Sequence, residues 1–218
     1  MAGSRQKDRE TVASVMRRLY SRGLTTCTGG NVSMRRGGEI LITSSGTDKA
    51  EITASEIGIL TLEGEVITPE LKLSIETEMH LEIYRSRPDA GAVVHAHPAA
   101  ASAFAAMDKD IDTRLTAEAW QVLGRPVKAP YALMGTEGLA ALVGRAVREG
   151  NAVIMENHGV VTVGTNLLQA FERMELLEAA ARMTWITESM GPGRPLSAER
   201  LGEIEEKYGG GSRNNRPL

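Results

Sequence analysis

An internal disulfide needs two cysteines, and this 218-residue chain has one, Cys27. A disulfide scaffold is therefore excluded, and a lone thiol, read here as a small buried hydrophobe, fits a reducing compartment. There is no excess of basic residues either. Twenty-five Lys and Arg stand against twenty-eight Asp and Glu, for a net charge of −3. That balance argues against a nucleic-acid or anionic-membrane surface. No apolar run approaches the ~18 residues of a membrane span, no internal repeat is visible, and the polar stretch from Met1 to Asp8 lacks a signal-peptide pattern. A cytoplasmic setting is the expectation.

The composition that remains is ordinary for a globular chain, with 42 % hydrophobic and 24 % charged residues, enough to bury a full core. The length is large for one domain and small for two. Residues 8–22 read as a helix, with Val12, Val15, Met16, Leu19 and Tyr20 on one stripe and Gly23 after it. Val32–Arg35 and Glu39–Thr43 flank Gly37-Gly38 as a hairpin, and Ile57–Leu62 with Val66–Thr68 reads as a second. Ser74 reads as the N-cap of a helix from Ile75 to Ser86 that carries Ile75, Met79 and Ile83 on one face and is stopped by Pro88. Ala92–His97 is a buried strand, and a short helix follows over Pro98–Ala106. Residues 108–136 are mixed and contain the strand Val127–Ala129. A helix spans Thr136–Gly150, strands cover Ala152–Met155 and Val160–Val163, and a long helix to Glu188 is capped by Thr165 and Asn166. On that helix Phe171, Met174, Leu177, Ala181 and Trp185 share a face. A last helix spans Ser197–Lys207. Short strands joined by hairpins, with helices around them, predict an α/β single domain: a mixed, mostly antiparallel central sheet sandwiched between helical layers. The domain is placed at residues 1–208, with 209–218 as a disordered tail.

Histidine is scarce, with four in the chain, and three of them sit at apolar strand ends. His95 and His97 are two apart. A strand puts residues i and i+2 on one face, so both imidazoles aim at one point, as the first two ligands of a cation such as Zn²⁺ require. His158, in Glu156-Asn157-His158-Gly159, completes an open three-ligand site. A lone buried histidine is usually a hydrogen-bonded core residue; the trio reverses that reading.

Glu76 falls near a helix start, where carboxylates are common for dipole reasons alone. Its interest comes from the histidines, because a metal that polarises a carbonyl needs a base beside it. His80, one turn later, reads as a half-buried supporting side chain. Thr28-Gly29-Gly30-Asn31 and Ser45-Gly46-Thr47 combine glycines with hydroxyl and amide donors. With Ser74 at a helix start, they suggest a phosphate pocket of neutral donors, with no Lys or Arg in its loops.

These motifs carry a resemblance. Gly30-Asn31-Val32-Ser33, Ile42-Thr43-Ser44-Ser45-Gly46, Ser74-Ile75-Glu76, Arg85-Ser86-Arg87-Pro88-Asp89-Ala90 running on to Val93-Val94-His95-Ala96-His97, and Asn157-His158-Gly159 resemble the class II aldolase/adducin family, L-fuculose-1-phosphate aldolase type. The resemblance covers about residues 8–209. It implies one zinc per subunit, replaceable by manganese or cobalt, on His95, His97 and His158, with Glu76 as resting fourth ligand and acid/base. It implies that Gly30, Asn31, Ser45, Gly46, Ser74 and Ile75 surround the substrate phosphate, although Ile75 stands where close relatives often carry a second serine. It also implies a homotetramer with intersubunit sites, Tyr208 reaching into the neighbour's. The mid-chain tyrosine that typical members use as proton donor is missing: Thr116 to Trp120 offers none, and Tyr131 is the nearest candidate.

The implied activity is cleavage of a ketose 1-phosphate to dihydroxyacetone phosphate and an aldehyde. The substrate would be L-fuculose 1-phosphate or a 5-deoxy or 5-substituted pentulose 1-phosphate such as 5-methylthioribulose 1-phosphate. Two alternatives stand beside it. One is a metal-dependent dehydratase, epimerase or sugar-acid phosphate decarboxylase on the same scaffold. The other is a non-catalytic, adducin-like interaction module, which would have no need of three histidines at ligand spacing.

Overall fold

In a computed structural model describing residues 2–209, seven strands form one sheet between helices. The strands are β1 (Asn31–Arg36), β2 (Glu39–Thr43), β3 (Ile57–Thr61), β4 (Ala92–Ala96), β5 (Val127–Ala129), β6 (Ala152–Met155) and β7 (Gly159–Gly164). Their spatial order is β3-β2-β1-β4-β7-β6-β5. Every pairing is antiparallel except β5 with β6. The expected sheet is thus present. The expected tail lies, beyond Gly209, outside the described residues.

The helices are α1 (Ala2–Ser21), α2 (Thr77–Ser86), α3 (Ala99–Ala105), α4 (Ala117–Leu123), α5 (Glu137–Ala146), α6 (Leu167–Met190) and α7 (Ala198–Tyr208). Strand alternation splits the core in two. Val32, Val94, Ile154 and Val160 pack with Val12, Met16 and Leu19 of α1, Phe104 of α3 and Phe171, Met174 and Leu177 of α6. Val93, Val153 and Val161 pack on the opposite side with Met79, Ile83 and Tyr84 of α2 and Leu139 and Val143 of α5. By the same alternation, Asn31 and Ser33 of β1 and His95 of β4 belong to the α2 face. The register then sets Asn31 directly opposite His95.

Several expectations need correction. Val66–Thr68 makes no full strand. One bridge joins Leu60 to Val66, and beyond it the Thr68 hydroxyl accepts from Ile59 N–H at 2.9 Å, just before Pro69 breaks the pairing. The region read as mixed contains α4, whose cap is Thr116, accepting from Ala119 N–H. Trp185 is 63 % exposed, because the buried face of α6 ends at Thr184. Cys27 is exposed, not buried. It sits in a surface loop, with Sγ 3.6 Å from Asp48 Oδ1.

The start of α2 matters most. The helix begins at Thr77, with Glu76 in the capping position. Ser74 instead organises a turn ahead of it: its hydroxyl accepts from Glu76 N–H at 3.2 Å, and its carbonyl accepts from the Thr77 hydroxyl at 2.7 Å. Ile75 is left 57 % exposed, so it does not share the buried face of Met79 and Ile83. Glu76, lifted out of the helix, points at the end of β4.

Candidate metal centre and anion loops

The three histidines converge. His95, His97 and His158 each offer a ring nitrogen, all within 4.8 Å of one another. His95 is the penultimate residue of β4, His97 lies just past the strand, and His158 is in the β6–β7 turn. That turn is tight: Asn157 adopts φ 53°, a left-handed conformation to which Asn is among the better adapted residues. Gly159 is needed next, since a Cβ there would lie 2.6 Å from His97 Cδ2. The glycine makes the space into which the His97 ring turns.

Glu76 faces the trio, with Oε2 at 3.0 Å from His95 Nε2 and Oε1 at 3.1 Å from His158 Nε2. The His95 tautomer can be argued from its other nitrogen. Nδ1 lies 3.0 Å from the Val160 carbonyl, which can only accept, so Nδ1 carries the hydrogen. A neutral His95 then presents a bare lone pair to a carboxylate oxygen. Two facing lone pairs need a shared positive charge, from a proton or a metal ion. His95 Nε2 is accordingly buried without a hydrogen-bond partner, as is Glu76 Oε1, which faces His158 Nε2. Three imidazoles and one carboxylate are a donor set for a borderline cation, so these residues fit the metal that the sequence implies.

Electrostatics agree. Burial works against ionised Glu76, but the charge of His95, the close approach of His158 and His95 and the hydrogen bond from Asn31 hold its carboxyl well below the usual range. Burial lowers His95, yet the Glu76 carboxylate more than offsets it and the net shift is upward. His97, pushed down by burial and by the two neighbouring imidazoles to about 4, stays neutral.

Three polar segments meet beside this cluster. Lys49 N–H donates to Cys27 O at 2.8 Å, tying the 44–49 loop to the 25–31 loop. Ser45 N–H donates to Lys72 O at 2.8 Å, and Ser44 bridges to Leu73, bringing in the strand that leads to Ser74. Asn31 Nδ2 reaches Ser74 Oγ at 3.0 Å. Among the predicted phosphate residues, Gly30, Asn31, Ser45, Gly46 and Ser74 are therefore gathered on linked segments, and Gly30 and Gly46 take positive φ values of 68° and 72°. Two details refine the prediction. The Ser74 hydroxyl accepts from both Asn31 and Glu76 N–H, so its own hydrogen is left to donate outward. Asn31 has no spare side-chain donor, because its other amide hydrogen goes to Glu76 Oε2 at 2.9 Å.

Lys49 is the residue that sequence reasoning missed. It is buried under the loop, with Nζ donating to Ser44 O at 2.8 Å and Thr47 Oγ1 at 2.9 Å. Burial lowers its pKa. Its place two residues after Thr47 was the available signal. Tyr131 and Tyr208 are both exposed, and neither hydroxyl takes part in a hydrogen bond among the described residues. Tyr131 follows β5 and donates its N–H to Glu156, beside the His158 turn. Tyr208 closes α7.

A helix-flanked mixed sheet carrying a three-histidine, one-carboxylate cluster beside linked polar loops is compatible with the architecture of a metal-dependent lyase. The chain belongs to the class II aldolase and adducin family: the model of the Class II Aldolase and Adducin N-terminal domain matches residues 10–185. It is 34 % identical over 208 residues to the 5-deoxy-D-ribulose 1-phosphate aldolase of Bacillus thuringiensis serovar kurstaki, covering 94 % of this chain and 97 % of that one. An L-fuculose phosphate aldolase of Methanococcus maripaludis is 34 % identical over 176 residues, covering 81 % and 95 %. Among solved structures, an L-fuculose 1-phosphate aldolase superposes with a TM-score of 0.84 at 30 % identity, covering 93 % of this chain and 96 % of that one.

Proposed function

We propose that the protein is a zinc-dependent class II aldolase that cleaves a ketose 1-phosphate to dihydroxyacetone phosphate and an aldehyde. The observation that carries this reading is Glu76. A buried carboxylate held ionised between two histidine nitrogens, yet without a saturated hydrogen-bond shell, is placed to exchange a proton. Zinc bound by His95, His97 and His158 would supply electrophilic charge to the substrate's carbonyl oxygen. Glu76 moves the proton at the carbon that becomes C3 of dihydroxyacetone phosphate. Ser74 donates its free hydroxyl hydrogen to the phosphate, with Gly30, Ser45, Gly46 and the Ile75 backbone around it.

The aldehyde end favours a 5-deoxy pentulose 1-phosphate. Tyr131, Leu133 and Met134 are exposed on the 130–135 loop, which borders the segment carrying Ile75 at Gly135, where a Cβ would lie 3.3 Å from Ile75 O. An apolar rim suits an aldehyde with few hydroxyls, and the Bacillus thuringiensis relative is named for such a substrate.

We assign the proton at the C4 oxygen to a tyrosine, Tyr208 of a neighbouring subunit in a homotetramer or else Tyr131. No described helix is long and apolar enough to cross a membrane, and a cytoplasmic setting accords with the single free thiol.

The test is a panel of ketose 1-phosphates with coupled detection of dihydroxyacetone phosphate. Activity on 5-deoxyribulose 1-phosphate above that on fuculose 1-phosphate, lost on chelation and restored by zinc, is expected. Release of carbon dioxide from a phosphorylated sugar acid without any aldol cleavage would overturn it. Mixing inactive Glu76→Gln with inactive Tyr208→Phe protein recovers activity if sites are shared between subunits.

A further inference from the structure

Behind Glu76 runs a chain of buried side chains that the proposed chemistry leaves unexplained. His80 is fully buried on α2, with Nε2 2.5 Å from Asn31 Oδ1 and Nδ1 2.6 Å from Ser33 Oγ. Ser33 Oγ lies in turn 2.8 Å from the Tyr84 hydroxyl. Tyr84 and Ser33 are as buried as His80, and the Tyr84 oxygen also takes a backbone hydrogen bond from Val93.

The hydrogens in this chain can be placed by elimination. The Glu76 carboxylate can only accept, so the Asn31 atom facing it must be the N–H₂ group. Asn31 Oδ1 then faces His80 and must accept, which puts a hydrogen on His80 Nε2. The ring is fully buried and both its nitrogens face uncharged partners, Asn31 and Ser33, so it is neutral and Nδ1 is a bare acceptor. Ser33 must therefore donate to Nδ1, and Tyr84 donates to Ser33. Each link admits one direction. Reversing the His80 tautomer would turn the Asn31 amide and set its carbonyl oxygen against the Glu76 carboxylate.

From this geometry we infer that His80, held in its Nε2–H tautomer by Ser33 and Tyr84, is a positioning residue. It locks the Asn31 amide so that one hydrogen goes to Glu76 and the other to Ser74. Asn31 thereby joins the acid/base carboxylate to the anion-binding hydroxyl, and the two are oriented by one side chain with no rotational freedom. The functional half of this inference rests on the aldolase reading; the tautomer does not.

Nitrogen-15 NMR of histidine-labelled, metal-loaded protein tests it directly. Wild type is expected to show one neutral histidine with hydrogen on Nε2, assigned to His80 by its loss in His80→Gln. Ser33→Ala removes the donor to Nδ1 and should give a mixture of tautomers. In that variant metal stoichiometry should persist while kcat/KM falls on the order of tenfold to a hundredfold, the range for hydrogen bonds to a charged group. Ser33→Thr, which keeps the hydroxyl, should restore both signals. Tyr84→Phe, one link further away, should lose less activity than Ser33→Ala. A wild-type His80 carrying its hydrogen on Nδ1, or a Ser33→Ala protein with mixed tautomers and unchanged kcat/KM, would overturn the inference. If Ser33→Ala fails to fold, the wild-type tautomer still decides. If wild type cleaves no ketose phosphate but shows the Nε2–H tautomer, the aldolase reading fails and the relay stands.

Discussion

The two ends of the proposed site are made from opposite materials. The cation end is a set of lone pairs on side chains fixed by strands: His95 within β4, His97 one step past it, and His158 in the turn that joins β6 to β7. The anion end is a set of donors on loops, where positive-φ glycines let the backbone approach a ligand. A strand delivers two side chains to one point because its period is two, whereas a loop can offer N–H groups that a strand has already spent on its neighbours. Asn31 belongs to both ends. It sits on β1 opposite His95 and hands one hydrogen to each side.

If the two ends are separable, substitutions should affect them separately. The largest effect is expected at the cation end. His95→Ala/His158→Ala should leave no stoichiometric metal and no measurable cleavage, read by elemental analysis and coupled assay; full metal content in that variant would dissolve the proposed centre. Glu76→Gln should keep the fold and lose roughly 10²–10⁴ in kcat, as expected of a general acid–base group. An unaltered rate of C3 proton exchange on dihydroxyacetone phosphate would point to another base.

At the anion end, Ser74→Ala should raise KM for the ketose phosphate about tenfold to a hundredfold. It should leave the weak reaction of the unphosphorylated ketose nearly alone, and an equal loss on both substrates would show that the ends are not separable. The smallest expected change comes from Ile75→Ser, which adds one hydroxyl donor and should lower KM for the phosphate severalfold. No change, measured in the same assay, would mean that position 75 contributes through its backbone.

How much could be read in advance follows the same division. The His-x-His spacing, the Gly37-Gly38 hairpin and the strand at Val127–Ala129 are local signals, and each element formed where its residues indicated. Parity alone placed His95 and His97. Other features depended on distant partners. Ser74 looks like an N-cap, but its hydroxyl is engaged by Asn31, forty-three residues away, and the helix starts later. Trp185 continues the apolar stripe of α6, yet the buried face of that helix ends at Thr184. Lys49 is buried because its ammonium reaches Ser44 O and Thr47 Oγ1 once the 44–49 loop has folded. The His80 chain is hidden for the same reason, since Ser33 and Tyr84 are ordinary strand and helix residues until β1 is laid against α2.

The register that sets Asn31 opposite His95, and His95 opposite Val161, also has a consequence for folding. Apart from the His95–His97 pair, the donors at positions 76, 95, 97 and 158 are distant in the chain and meet only when β4 and β7 have paired and the start of α2 lies against them. A half-folded chain therefore offers a metal nothing better than the His95–His97 pair, and such non-local pairing is slow to form. Metal binding should then act as a clasp on the whole native state. Each increment of free zinc above its dissociation constant raises the unfolding free energy logarithmically, and removal of the metal lowers the melting temperature of the entire domain, not of one loop. Metal retention on heating would accordingly report the global transition.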